Sequence, residues 1–189
     1  MRVERLRALD EHGAFGREAG QAVAERAEAA RRGGAPAAAA SETSAAQPAA
    51  VLRLLAMLET GFLVAAADGE LSPAEIDDIA ANFCTWFDRA FREDDVRVLL
   101  DTFQQALDQD GADKRLAILA GSLEADDRRA AFDVACAVAA CDQAQVDDAE
   151  VARLAAMAIA FHIPEDEARA RFDVVYEEAR VLSRRSVRP

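Results

Sequence analysis

Val64-Ala65-Ala66-Ala67-Asp68-Gly69-Glu70-Leu71-Ser72-Pro73-Ala74-Glu75 is matched further along the chain by Val138-Ala139-Ala140-Cys141-Asp142-Gln143-Ala144-Gln145-Val146-Asp147-Asp148-Ala149-Glu150. Each stretch has a small apolar helix end, an Asp, a short loop with one aliphatic residue, and a Glu four positions after that aliphatic. Ser72 is placed to cap a helix, with Pro73 at the first helical position and Glu75 three residues after the cap. Asp147 and Glu150 repeat the capping-box spacing. Each copy leads into a new segment with apolar residues at helical spacing. A repeated helix–acidic loop–helix unit predicts an all-α, pseudo-symmetric domain whose two acidic loops can face one another.

The segments around the two copies also read as helices. From Pro48 to Ala67, Val51, Leu52, Leu54, Leu55, Leu58, Phe62 and Leu63 cover most of a helix circumference, which predicts a central helix. The helix from Pro73 to Phe87 turns Ile76, Ile79, Ala80, Phe83 and Phe87 inward. A third, over 93–107, carries Val96, Leu99, Leu100, Phe103 and Leu107 on one face. Asp113 is placed to cap a short helix ending at Leu119 or Leu123. Ala125 to Cys141 forms another helix with a nearly continuous apolar surface. The second capping box opens a helix over 147–161, with Val151, Leu154, Ala155, Ala158 and Ile159. Pro164 opens the last, to about Leu182, using Ala168, Phe172, Val175 and Tyr176. About seven helices follow, and no window alternates in the manner of a strand.

Residues 1–32 are expected to form an N-terminal helical extension. Residues 33–47, rich in Ala, Ser, Thr, Gln, Gly and Pro, read as a low-complexity flexible linker. The helical domain then spans 48–182, and 183–189 is a basic tail.

The formal charge is −13 over 189 residues. Without 1–32 and the Arg-rich 180–189, residues 33–179 hold eleven basic and twenty-nine acidic residues, a net of −18. Such a body repels a phosphate backbone, so nucleic acid is not an expected partner. Divalent cations or a basic protein face suit it better. The three cysteines, Cys84, Cys136 and Cys141, are an odd set without a CxxC and read as small buried residues. No signal-peptide core follows Met1, and Val51–Ala67 is interrupted by Arg53 and Glu59 and is short for a membrane span. The chain reads as cytoplasmic and not itself transmembrane.

The Asp68–Glu75 phrase, preceded by Val64-Ala65-Ala66-Ala67, resembles the ADGxxxxxE signature of TerB-like domains. That family includes the tellurite-resistance protein TerB and a related domain of DnaJ-type membrane co-chaperones. The resemblance covers about residues 48–180. It implies an all-helical fold of two similar halves, acidic residues that bind a divalent metal, and a non-enzymatic role in stress-response or membrane-associated protein complexes. The first copy matches at Asp68, Gly69 and Glu75, the second at Asp142 and Glu150. The second departs from the pattern, because Gln143 replaces the Gly and its loop is one residue longer.

By chemistry, Asp68, Glu70 and Glu75 with Asp142, Asp147 and Glu150 are candidate oxygen ligands for a hard cation, Ca²⁺ or Mg²⁺. Asp148 could join them. Zinc is disfavoured, since His12 and His162 do not make an N/S site. An EF-hand is excluded, because the ninth and twelfth positions from Asp68 are Ile76 and Ile79. The competing reading gives the acids to helix capping and to the helix macrodipole. On that reading the chain is a protein–protein adaptor whose N-terminal helix docks a partner. His162 is expected at a helix junction, Trp86 with Phe87 and Phe91 in the core, and Arg180, Arg184, Arg185 and Arg188 in a solvated tail. No catalytic residue is expected: the chain shows no phosphate-binding Gly-rich loop, HExxH, ExxH pair, Ser/His/Asp set or His-Pro-Asp tripeptide.

Overall fold

The computed structural model describes residue 32 and residues 49–69, 71–86, 92–141 and 146–186, without the side chains of 49–52, 85, 86, 141 and 178–186. Among the described residues there are seven helices and no strand. They are α1 (Ala49–Ala65), α2 (Pro73–Trp86), α3 (Glu93–Asp110), α4 (Ala112–Ser122), α5 (Ala125–Cys141), α6 (Asp148–Ala160) and α7 (Glu165–Ser186). The all-α expectation and the number of helices hold. The order of elements is compatible with two helix–acidic loop–helix repeats.

The chain divides into two compact units, Met1–Leu55 with Leu71–Arg115, and Ala56–Glu70 with Leu116–Pro189. In the first unit α2 and α3 pack together. Ile79, Ala80, Phe83 and Cys84 of α2 are buried, as are Val96, Leu99, Leu100, Phe103 and Ala106 of α3. These residues recur at helical spacing, so packing one stripe removes them all from water. At the edge of this contact Arg97 Nε lies 2.8 Å from Asp77 Oδ1, and its Nη1 lies 2.9 Å from Asp94 Oδ1. The carboxylates hold the Arg97 guanidinium above its ordinary range, with the Asp77 hydrogen bond contributing most.

In the second unit α5 packs against both α6 and α7. Ala131, Val134, Ala135, Cys136 and Ala139 of α5 are buried throughout, and their small side chains suit close helix approach. The α5–α7 contact is closed by a half-buried ion network. Arg171 Nη1 reaches both Asp133 oxygens, at 3.1 and 3.0 Å, and Arg171 Nε reaches Glu167 Oε1 at 2.9 Å. Arg129 Nε binds that same Glu167 oxygen at 2.9 Å. Burial opposes the charge on Arg171, yet Glu167 and Asp133 hold its pKa above the ordinary value.

Several expected boundaries are corrected. The third helix continues past Leu107 to Asp110, and the last continues past Leu182 to Ser186. Nothing between Val181 and Ser186 breaks a helix, and Arg184 and Arg185 suit a helix C-terminus. Asp113 does not cap the fourth helix; it lies in the first turn of α4. Gly111 takes the position before that helix, its carbonyl accepting from Arg115 N–H at 3.1 Å. Pro164 stands just before α7, and its carbonyl accepts from Ala168 N–H at 2.8 Å.

Of the residues expected on apolar faces, Val151, Ile159 and Tyr176 are exposed, at 52%, 76% and 36%. His162 does lie at a helix junction, with φ +55°. Cys84 and Cys136 are buried. Residues 1–31 of the expected extension, the whole linker 33–47, Phe87, Phe91 and the side chains of Trp86, Cys141 and Arg180 to Arg188 lie outside the described residues.

Candidate acidic loops

The first loop is made by the way α1 stops. Ala66 N–H still donates to Phe62 O (2.9 Å), but Ala67 N–H donates to Val64 O (3.0 Å), tightening the last turn. Asp68 and Gly69 follow, and Gly69 has φ +144°. A side chain is disfavoured at that angle, which is the physical reason for a Gly after the Asp in the ADG phrase. Asp68 is exposed. It makes no hydrogen bond or ion pair among the described residues.

Ser72 then caps α2. Its backbone N–H donates to Glu75 Oε2 at 2.7 Å, and Glu75 N–H donates to Ser72 Oγ at 3.3 Å. The Ser72 carbonyl accepts the first helical bond, from Ile76 N–H at 3.0 Å. Hydrogen bonding from Ser72, through its side chain first and its backbone second, holds the Glu75 carboxyl below its usual range. Leu71 and Ile76 flank the cap at the two positions of a hydrophobic staple, and both are half-buried.

The second loop ends in the same device. Asp147 is extended (φ −80°, ψ 168°) and its Oδ1 accepts from Glu150 N–H at 2.7 Å. Asp147 N–H donates to Glu150 Oε2 at 3.0 Å. Val146 stands where Leu71 stands in the first copy, and it too is half-buried. Both predicted capping boxes are therefore present, one starting α2 and one starting α6.

The six candidate ligands fall into three groups. Glu75, Asp147 and Glu150 are engaged as caps, each with a carboxylate oxygen already taken by a backbone N–H. Asp68 is exposed and unengaged among the described residues. Glu70 and Asp142 lie outside the described residues. Among the described residues no three His, Cys, Asp or Glu side chains are gathered closely enough to hold a metal ion.

The sequence reading passed over the buried polar residues Glu59, Thr60, Asp95 and Arg115, each no more than 6% exposed. Thr60 is satisfied within α1, its hydroxyl donating to Ala56 O at 2.6 Å. Arg115 Nη1 lies 3.2 Å from Asp110 Oδ2, while Lys114 Nζ takes the other oxygen at 2.6 Å. The available signal was the acid at position 59 inside an otherwise apolar run.

These observations define a class, an all-helical protein with two capped acidic loops that open α2 and α6. The family model for tellurite resistance protein TerB matches residues 54–172, well over half of the chain. The chain belongs to the TerB family. No curated protein and no solved structure matches it at a significant level. The matched residues run from within α1 to within α7 and contain both capping boxes. No described helix is long and apolar enough to cross a membrane.

Proposed function

We propose that this chain is a non-enzymatic TerB-family binding module of the cytoplasm, acting in a stress-response or membrane-associated protein complex. On this reading a divalent cation, Ca²⁺ or Mg²⁺, is bound by the acids ahead of the caps. The observation that carries the cation is the division of labour among the acids. Glu75, Asp147 and Glu150 are spent on backbone N–H groups, whereas Asp68 is exposed and makes no bond among the described residues. A free carboxylate at the head of a tight turn is the kind of oxygen donor that hard cations take. Asp68, Glu70 and Asp142 are the proposed ligands, with Glu75, Asp147 and Glu150 holding the helix starts in place behind them.

Calorimetric titration of Ca²⁺ and Mg²⁺ into chelator-treated full-length protein tests this. Saturable binding that Asp68→Asn/Asp142→Asn abolishes, and that Glu75→Gln/Glu150→Gln only weakens, supports the assignment. Absence of binding by the unmodified protein removes the cation and leaves the adaptor reading, in which all the acids serve the fold. The capping bonds alone support that second reading, since they give three of the six acids a structural task.

A further inference from the structure

α6 faces its unit's core with Leu154, Met157 and Ala158, all buried, and Phe161 continues that side just past the helix end. Its opposite side carries Asp148, Val151, Ala152, Ala155 and Ile159, at spacings of three and four, and all five are exposed. The outer side of a surface helix is ordinarily polar. α2 keeps that rule, with Glu75, Asp77 and Asp78 exposed. α6 breaks it, showing four apolar residues in a row with no charge among them. Val151 and Ile159 are each more than half exposed, at 52% and 76%.

We propose that this face of α6 pairs with the same face of a second copy of the chain, the two helices antiparallel about a two-fold axis at Ala155. The reason is that the face is self-complementary about that residue. Val151 lies four positions before Ala155 and Ile159 four after; Asp148 lies seven before and His162 seven after. The two-fold operation therefore sets Val151 against Ile159 of the second copy, and Asp148 beside the exposed His162 corner of the second copy. Ala155 falls opposite itself, and Ala152 beside it is equally small, so the axes can approach to about 8 Å. Antiparallel alignment also opposes the helix dipoles.

The symmetry of the face about Ala155 selects this occupant over the others. A chain of net charge −13 repels an anionic bilayer or nucleic acid. A cationic partner segment would find no carboxylate among Val151, Ala152, Ala155 and Ile159 to meet it, and the nearby Glu150 is half-buried and spent on its cap. A second α6 matches the face in apolar character and in bulk. One such stripe is far smaller than a standard interface of roughly 1,600 Å², so the pairing is weak. Because each copy is acidic, screening strengthens it.

Sedimentation equilibrium of the full chain from roughly 10 µM to 1 mM, at low and at high salt, reads this directly. The average mass is expected to rise with concentration from the 20.3 kDa of one chain toward twice that value, and to rise further at high salt. Ile159→Asp, an exposed substitution that leaves the core intact, is expected to weaken association on the order of tenfold. Val174→Asp, at an exposed valine of α7, is expected to leave it unchanged. A chain that stays at one mass throughout overturns the proposal. So does an association that Ile159→Asp does not touch, that Val174→Asp removes instead, or that high salt dissolves in the manner of a charge-driven complex.

Discussion

Gly111 joins two helices with no residue to spare, and what replaces it should be felt at both ends. Its N–H donates to Leu107 O at 2.8 Å, closing α3, and its carbonyl accepts from Arg115 N–H at 3.1 Å, opening α4. To do both it sits at φ +76°, ψ 158°, a region essentially reserved for glycine. A Cβ placed there meets nothing within 4 Å, so Gly111→Ala carries a torsional penalty and no collision. Holding an L-residue in such a basin costs about 1–3 kcal/mol, while the stiffer unfolded chain returns about 0.4–1 kcal/mol. The net expectation is a loss of about 1–2 kcal/mol, or roughly 2–8 °C in Tm.

Gly121 is the internal control for that substitution. It lies within α4, also with open space around its Cβ position, but without a positive φ. The same methyl group there is expected to gain about 0.5–1 kcal/mol through helix propensity. Urea unfolding of the unmodified chain and the two variants checks both signs at once. If Gly111→Ala matches the unmodified protein, or if both substitutions shift the midpoint in one direction, the backbone argument is refuted.

Asp147→Ala removes the acceptor for Glu150 N–H and should cost about 1 kcal/mol, whereas the unengaged Asp68→Asn should stay within about 0.5 kcal/mol. Equal losses in the two variants, measured by denaturant titration, would contradict the separation of caps from free acid. His162 occupies the left-handed position of a Schellman end to α6, with Ile163 N–H donating to Ala158 O (2.9 Å) and His162 N–H to Ile159 O (3.1 Å). His162→Gly is therefore expected to stabilise by about 0.5 kcal/mol, strain relief partly offset by a looser unfolded chain. A thermal melt showing a loss instead would assign the histidine side chain a stabilising contact.

For pH, the carboxyls of Glu75, Asp110 and Glu167 are held below their usual range by Ser72, by Lys114 and Arg115, and by Arg171 and Arg129 respectively. A depressed folded-state pKa contributes stability that is full above the ordinary carboxylate range, about 4, and is lost as pH falls through the folded values. The urea midpoint should hold between neutrality and roughly pH 5.5, then fall on further acidification. A midpoint unchanged down to roughly pH 3 would refute that linkage.

The parts of this protein legible in its sequence are those decided within a turn or two of chain. Ser72 with Glu75 and Asp147 with Glu150 announce their hydrogen bonds because donor and acceptor stand three residues apart, and the bonds form as read. The ADG phrase likewise foretells the positive φ at Gly69. The missed Asp113 cap has a local cause as well. Asp is a common cap, but Gly111 already fills that position one residue before α4 begins, with a backbone angle open to it and closed to Asp.

Which side of a helix meets the core was less legible where the pattern was apolar all round. In α6, Val151, Ala155 and Ile159 read as readily inward as Leu154 and Ala158, and only packing against α5 separated them. The Arg171–Asp133 pair links residues thirty-eight positions apart, and no spacing rule pairs them. The burial of Glu59 and Asp95 is of the same kind, since a charged side chain is taken out of water only where other elements close over it.

By itself, then, the sequence determined the helical class, both capping boxes and the acidic character of the loops, because capping, propensity and net charge are properties of neighbouring residues and of composition. The tertiary structure alone decided that Asp68 makes no bond among the described residues, and that Val151, Ala155 and Ile159 of α6 are exposed. It also decided which arginines and carboxylates meet across α5 and α7. Those outcomes depend on contacts between segments far apart in the chain, whose geometry no local pattern carries.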